Sequence, residues 1–184
     1  MRDVEDFLAE AFETGNESAL FDEIMQVYGQ DILQLVFSYV KNKTVAEDLT
    51  QEIFVKCYQA LPSYKKQAKV RTWLWRIASN HCKDYLKSWY FRSVQAAGDE
   101  QREFAASENI EESMIQRDED QELAAAVMEL PVKYREVIYL YYFQELAIKD
   151  ISDITGLSQG TIKTRMRRAK SILKKRLEGL EDGK

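Results

Sequence analysis

Proline and glycine are scarce in this chain of 184 residues, which contains two prolines and seven glycines. These residues interrupt helices most often, while Leu, Ala, Glu, Lys and Gln, which favour helix, are plentiful. Hydrophobic residues make up 45% of the chain and charged residues 31%, a balance typical of globular proteins and not of disordered ones. The composition therefore predicts an all-α protein.

Cysteine and histidine are scarce as well, which limits the chemistry available to the chain. Cys57 and Cys82 are too few for a disulfide framework and have no metal-ligand spacing. Both fall on the apolar side of predicted helices, so we interpret them as buried free thiols, with redox sensing as the alternative. His81, the only histidine, lies on an apolar helical arc, and we interpret it as a core residue. Without a glycine-rich phosphate loop, a metal cluster or a nucleophile–base pair, we expect no enzyme and no cofactor.

Long hydrophobic runs are also missing. No basic-then-apolar segment follows Met1, and no apolar run approaches the length that crosses a bilayer. We therefore expect a cytoplasmic protein that is not inserted in the membrane.

The charge of the chain is distributed unevenly along the sequence. The formal net charge of −5 would by itself argue against nucleic-acid binding. However, residues 62–92 carry 8 basic and 1 acidic side chain, and residues 158–177 carry 8 basic and none acidic. Because phosphate neutralisation is local, two basic segments predict two contacts with a polyanion. Two solvated helix faces are the alternative interpretation.

Hydrophobic periodicity divides the chain into two helical domains. Apolar residues recur at helical spacing from Val4 to about Trp89, and again from Gln121 to about Leu180. The segment between them is acidic, poor in aliphatic residues and without periodicity, which is the composition of a mobile connector. We predict two small domains at residues 1–92 and 121–180, joined by a flexible acidic linker at residues 93–120.

A helix is predicted to begin at the capping-box pair Thr44 and Glu47 and to run to about Ala60, before Pro62. Its exposed arc carries acidic and amide side chains around one apolar residue, Val55. An apolar centre with a polar rim is typical of protein-docking surfaces, although a solvated face is the alternative. The candidates, called the docking residues below, are Asp48, Gln51, Glu52 and Val55.

The next predicted helix runs from about Arg71 to Trp89 and follows a lysine-rich loop. One stripe of this helix and the loop combine basic groups with the aromatic ring of Trp73, whereas Trp75 is interpreted as core. This combination suits single-stranded nucleic acid, because charge follows the backbone while a ring stacks on an unpaired base. The candidates, called the strand-binding residues, are Lys65, Lys66, Lys69, Trp73, Arg76, Asn80 and Lys83.

A helix-turn-helix pattern occupies the C-terminal part of the chain. Residues 148–155 predict a short helix, residues 156–158 a turn, and Ser158 the N-cap of a helix that continues through Leu177. That second helix would bury an apolar stripe and expose a face without acidic residues, as a recognition helix does. An ordinary surface helix is the alternative, but such helices mix both charge signs. The candidates, called the groove-facing residues, are Lys163, Thr164, Arg167 and Arg168.

Three segments of the chain resemble motifs of the extracytoplasmic-function sigma factors, the minimal members of the bacterial sigma-70 family. AEDLTQEIF at Ala46–Phe54 resembles the segment that binds core RNA polymerase, and RTWLWRIASN at Arg71–Asn80 resembles the promoter-melting segment. The stretch Leu130–Leu177 resembles the C-terminal DNA-binding domain. The motifs occur in the family's order, although Ser152 replaces the alanine common in the first helix of the helix-turn-helix.

The resemblance implies a transcription initiation factor with a sigma-two domain, which binds polymerase and opens the minus-ten element, and a sigma-four domain, which recognises the minus-thirty-five element. By motif position, the docking residues other than Val55 would contact polymerase, with Leu49 packing inward. The strand-binding residues other than Trp73 would meet the separated non-template strand, and the groove-facing residues would face the major groove. The implied partners are core RNA polymerase, promoter DNA and an anti-sigma factor, with no small-molecule substrate. The alternative is a helix-turn-helix regulator that binds duplex operator DNA without polymerase.

Overall fold

The computed structural model describes residues 17–65, 68–97 and 119–181, and within these ranges it contains helices but no strand. This confirms the all-α prediction. A 3-10 turn at Leu61–Ser63 and a π-helical turn at Tyr139–Phe143 supplement the α-helices. None of the described helices is both long enough and apolar enough to span a membrane. The helices are α1 (Glu17–Val40), α2 (Lys43–Ala60), α3 (Val70–Ala97), α4 (Glu119–Met128), α5 (Val132–Ile138), α6 (Ile148–Thr155) and α7 (Gln159–Glu181).

The contacts of the chain divide it into two compact units, residues 1–103 and 104–184. The prediction of two small helical domains is therefore confirmed. α3 continues to Ala97, eight residues beyond the predicted end at Trp89, because no proline or glycine intervenes before Gly98. Most of the predicted linker at residues 93–120 lies outside the described residues, and its flexibility stays a prediction.

Helices α1, α2 and α3 pack together around one core in the N-terminal unit. Trp75 is fully buried, and its ring meets Tyr28 edge-on with 5.3 Å between ring centres, which confirms the interpretation of Trp75 as core. Cys57 and Cys82 are also buried, and neither forms a disulfide. Burial raises the pKa of the Cys57 thiol to about 12, so this thiol stays protonated and unreactive near neutral pH.

The start of α2 differs from the prediction. Asn42, and not Thr44, is the N-cap: its backbone is extended, and its side-chain oxygen accepts a hydrogen bond of 3.0 Å from the Val45 amide. Asparagine is at least as good an N-cap as threonine, and the helix therefore begins directly after Asn42, at Lys43. Thr44 and Glu47 both lie inside the helix and are exposed. The predicted capping box is therefore wrong.

The core of the C-terminal unit joins α4, α5 and α7. It contains Ala126, Val127, Leu130, Ile138, Ala169 and Leu173. Beside this core lies a buried arginine, Arg135, whose guanidinium donates hydrogen bonds to the carbonyl oxygens of Met128 and Leu130. These carbonyls lie at the end of α4 and in the turn that follows it, so Arg135 helps to fix how α4 meets α5.

Candidate nucleic-acid interface

The docking residues lie together on one exposed face of α2, at the spacing of successive helical turns. Val55, at the centre of this face, is 55% exposed, whereas Leu49 on the opposite side is buried, as expected. Sequence reasoning missed Tyr58, which follows Val55 by three residues and is 50% exposed. The Tyr58 ring rests against Phe21 of α1, with 5.0 Å between ring centres. The apolar part of this face is therefore larger than predicted.

His81 of α3 is not a core residue, in contrast to the interpretation from sequence. Its Nε2 lies 2.7 Å from a carboxylate oxygen of Glu52, and its Nδ1 lies 2.8 Å from the ammonium of Lys56. Both partners belong to α2, so the ring joins the two helices. The side chain of His81 is 12% exposed, which places it at the rim of the interior. Helical periodicity correctly placed His81 on the inward side of α3, but it could not show that α2 presents Glu52 and Lys56 to that side.

Four of the strand-binding residues, Trp73, Arg76, Asn80 and Lys83, recur along one stripe of α3. Arg76 and Asn80 are exposed, and Trp73 and Lys83 are half-buried. In the preceding loop Lys65 and Lys69 are exposed, whereas Lys66 lies outside the described residues. The stripe and the described part of the loop therefore present cations together with one accessible aromatic ring.

The loop is attached to the start of α3 through Tyr64. Its ring lies 4.9 Å from the ring of Trp73, and its hydroxyl donates to the carbonyl oxygen of Ala68. Arg71, at the start of α3, is half-buried with its guanidinium 5.2 Å from the centre of the Trp75 ring. Tyr64 and Trp73 thus form an aromatic pair at the edge of the basic surface, while Arg71 packs against the core.

The helix-turn-helix occurs where the sequence predicts it. Gly156 ends α6 in the left-handed conformation with a φ of 74°, which a residue with a side chain adopts only with strain. Ser158 caps α7, because its hydroxyl accepts a hydrogen bond of 3.2 Å from the Thr161 amide. Ser152 has a role in the turn that its alanine counterpart could not have: its hydroxyl donates to the carbonyl oxygen of Leu157 at 2.6 Å.

Helix α7 separates its apolar and cationic sides as predicted. Ile162, Met166, Ala169 and Leu173 are buried, while three of the groove-facing residues are exposed and the fourth, Thr164, is half-buried. Arg165 is different from its neighbours, because its guanidinium lies 3.8 Å from the buried carboxylate of Glu136 on α5. Arg165 therefore anchors α7 to α5, and the other cations on this face remain at the surface.

A cleft of about 540 Å³ lies between the start of α5 and the start of α7. Its walls carry three cationic side chains, from Lys133, Arg165 and Arg168, together with the hydroxyls of Ser158, Thr161 and Thr164. None of the described residues that line it is acidic, so a phosphate group is the kind of ligand that this cleft favours. Sequence reasoning missed Lys133, because it precedes the helix-turn-helix and lies in a segment of mixed charge.

Two family models match the chain, one in each unit. The model described as Sigma-70 region 2 matches residues 24–89, and the model described as Sigma-70, region 4 matches residues 120–173. The ECF RNA polymerase sigma factor SigW of Bacillus subtilis is 32% identical over 174 residues, which are 90% of this chain and 92% of that protein. The sigma factor SigM of the same organism is 35% identical over 154 residues, covering 83% of this chain and 92% of that protein.

Solved structures show the same fold. The sigma factor RpoE of Bartonella quintana, determined in complex with the anti-sigma factor NepR, matches with a TM-score of 0.71 and 24% identity, over 86% of this chain and 96% of that one. CnrH, determined with the cytosolic domain of CnrY, matches with a TM-score of 0.67 and 21% identity, over 96% of this chain and 99% of that one. At these identities the similarity establishes the fold alone.

Proposed function

This chain belongs to the extracytoplasmic-function sigma factors of the sigma-70 family, and we propose that its docking residues bind core RNA polymerase while its two basic surfaces bind promoter DNA. It is a transcription initiation factor that directs the polymerase to promoters. One observation supports the residue assignments: the same chain exposes an acidic and apolar face on α2 and cationic faces on α3 and α7.

The alternative, a helix-turn-helix regulator that acts without polymerase, is not favoured. Such a regulator would use the cationic face of α7 but would have no use for the docking residues or for the stripe on α3. The region 2 match, from residue 24 to residue 89, covers the docking residues and the stripe on α3. Members of this family are transcription factors and not enzymes, and we propose that this chain performs no catalysis of its own and acts in the cytoplasm, where polymerase is found.

Association with polymerase tests the role of the docking residues. The double substitution Gln51→Ala with Glu52→Ala should weaken binding to core RNA polymerase, because both side chains are exposed and available to a partner. Helicity should not change, since neither side chain packs in the core. Co-elution of the full chain with core polymerase at moderate salt measures the effect, with Gln26→Ala on the exposed part of α1 as the control. Equal recovery of the double variant and the parent chain would refute the assignment.

The strand-binding residues are proposed to act when the promoter strands separate. Arg76→Ala and Asn80→Ala should reduce promoter opening more than promoter occupancy, because their stripe lies beside the aromatic pair that can stack on an unpaired base. Permanganate footprinting on linear and pre-melted templates distinguishes the two steps. A defect on both templates indicates direct contact with bases, and a defect on the linear template alone indicates melting. Normal opening on both would remove these residues from the mechanism.

An anti-sigma factor is proposed as the regulatory partner. The Bartonella quintana relative in the structural comparison was determined with an anti-sigma factor bound. In this chain, such a protein would have to cover the docking residues or the cationic faces to prevent initiation. The products of genes adjacent to this one are the candidates, and co-expression with the correct candidate should reduce the recovery of this chain with core polymerase.

A further inference from the structure

The His81 ring is placed between two side chains of α2 in a way that fixes its protonated nitrogen. The ammonium of Lys56 can only donate, so Nδ1, at 2.8 Å from it, must accept and carries no proton. Nε2 then carries the proton of the neutral ring and donates it to the carboxylate of Glu52 at 2.7 Å. The single histidine of the chain is thus used as a donor and an acceptor at once.

Glu52 and Lys56 are four residues apart on α2, the order and spacing at which a glutamate and a lysine commonly pair directly on a helix surface. In the part of the chain that the structure describes, no direct ion pair joins them, and the ring of His81 stands between them instead. The ring is only 12% exposed, whereas the Glu52 side chain is 60% exposed. The nearly buried His81 ring therefore holds the Glu52 carboxylate in place, and that carboxylate remains accessible to a partner protein.

We propose that His81 is a positioning residue for polymerase binding: it holds Glu52 and Lys56 of α2 from its place on α3 and so orders the docking face before the polymerase arrives. The inference rests on the proposed contact between the docking residues and polymerase. Only Oε2 of Glu52 accepts from the ring, which leaves Oε1 available to a cationic or amide donor of the partner.

The physical advantage is preorganisation. A glutamate or a lysine on an open helix surface loses rotamer freedom when a partner binds it, and this loss opposes association. The hydrogen bonds of His81 already restrict the rotamers of Glu52 and Lys56 in the free protein, so less rotamer freedom is left to lose when the partner binds. A cleft of about 460 Å³ lies beside the His81 ring and is lined also by Asp84, Tyr85, Ser88 and Arg92. The ring therefore reaches α2 at a place where α2 and α3 are not closely packed. Side-chain hydrogen bonds, and not core contacts, therefore fix Glu52 there.

The test is the affinity of the full chain for core RNA polymerase, measured by competition titration. His81→Leu removes both hydrogen bonds at similar volume and should raise Kd by about five-fold, the effect of losing the prior order of one such side chain. His81→Gln keeps a donor and an acceptor and should restore a Kd close to that of the parent. His81→Asn is shorter by one methylene and should not. Ser88→Ala, in the same cleft but outside the hydrogen-bonded group, is the control.

A double-substitution cycle separates positioning from a general loss of structure. If His81 acts through Glu52, then His81→Leu should add little to the defect of Glu52→Ala. The inference is overturned if His81→Leu binds as the parent does, if the Gln and Asn variants bind equally well, or if the Leu substitution weakens the Glu52→Ala chain by its full factor. Should the Leu variant not fold, as judged by its helicity, the comparison of Gln with Asn decides.

The same titrations separate this inference from the proposed function. If Asp48→Ala and Glu52→Ala both bind core polymerase as the parent chain does, the docking face itself has been assigned wrongly. If those two variants bind weakly while His81→Leu does not, the docking face is correct and only the role of His81 fails.

Discussion

At the scale of single residues, the structure shows where a polar side chain is necessary inside the protein. Arg135 is 3% exposed, and it donates to the carbonyl oxygens of Met128, the last residue of α4, and of Leu130, in the turn that follows. The last carbonyls of a helix have no partner within it, and burying them without a donor is costly. Arg135 therefore contributes to stability through the carbonyl oxygens whose hydrogen bonds it supplies.

Arg135→Leu should lower the free energy of unfolding of the C-terminal unit by about 2 kcal/mol, because two sheltered carbonyl oxygens lose their donor. Chemical denaturation followed by circular dichroism measures the change. Lys133→Leu is the matched control, since Lys133 lies on the same helix but is exposed, and it should change stability by less than about 0.5 kcal/mol. Equal stability of the two variants would show that solvent satisfies these carbonyls.

Exposure of individual side chains could be predicted from the sequence, whereas their partners could not. Helical spacing placed Asp48 and Arg167 on outward faces and Trp75 inside, and all three predictions are confirmed. The same reasoning misjudged His81, because periodicity describes one helix and not the groups that a neighbouring helix brings within reach. Arg165 illustrates this limit as well: it has the same charge as Arg167, but Glu136, 29 residues earlier in the sequence, ties it to α5.

At the scale of whole elements, prediction succeeded where local signals were strong. Gly156 ends α6 and Ser158 caps the start of α7. Both helices start within a residue of the predicted position. A left-handed glycine and a capping hydroxyl are local features, so the sequence shows them directly. Where two caps competed, as at Asn42 and Thr44, the sequence alone did not decide between them. The end of α3 was predicted too early because the apolar periodicity stops at about Trp89, whereas the helix continues to Ala97.

The groove-facing residues allow the sharpest prediction for one element. At least one of Arg167 and Arg168 should contact a guanine, in which case its replacement by alanine costs about 1–3 kcal/mol and relaxes selectivity at one base pair. Lys174, which lies 3.6 Å from Glu178, should contact phosphate or nothing, so Lys174→Ala should weaken all sequences alike or have no effect. Holoenzyme transcription from a library randomised in the upstream promoter element, at several salt concentrations, measures both effects.

Arg165→Ala is the matched control for that library. Arg165 is an arginine of the same helix, but Glu136 holds it against α5, so its loss should reduce activity or stability without changing the preferred sequence. Suppose instead that alanine at Lys163, Thr164, Arg167 and Arg168 in turn leaves the preferred upstream sequence unchanged. Then α7 does not recognise the promoter, and the role assigned to the C-terminal unit is wrong.

At the scale of the whole molecule, two separate units on one chain explain how an acidic protein can bind DNA. The net charge is −5, but positive charge is concentrated on residues 62–92 and 158–177, one segment in each unit. The charge of each segment could be counted from the sequence. Which of these cations reach the surface required the structure, since Arg71 and Arg165 turn toward protein groups while Arg76 and Arg168 are exposed.

Two promoter contacts on one chain should reinforce each other through effective concentration. Once the N-terminal unit has bound polymerase and one promoter element, the covalent connection confines the C-terminal unit near the other element, and such confinement can raise overall affinity by about 10²-fold or more. We therefore expect that a protease site placed between residues 103 and 104, the boundary of the two units, makes holoenzyme transcription sensitive to the protease.

Cleavage should leave the binding of core polymerase intact, because the docking residues all belong to the N-terminal unit. Recognition of the upstream element should be lost at low concentration and should return as the free C-terminal unit is added in excess, because added protein replaces the lost confinement. The same chain without protease controls for the inserted site. If the cleaved protein initiates as well as the intact one with no added unit, the two units act without the connection, and the promoter contact of the C-terminal unit does not depend on its link to polymerase.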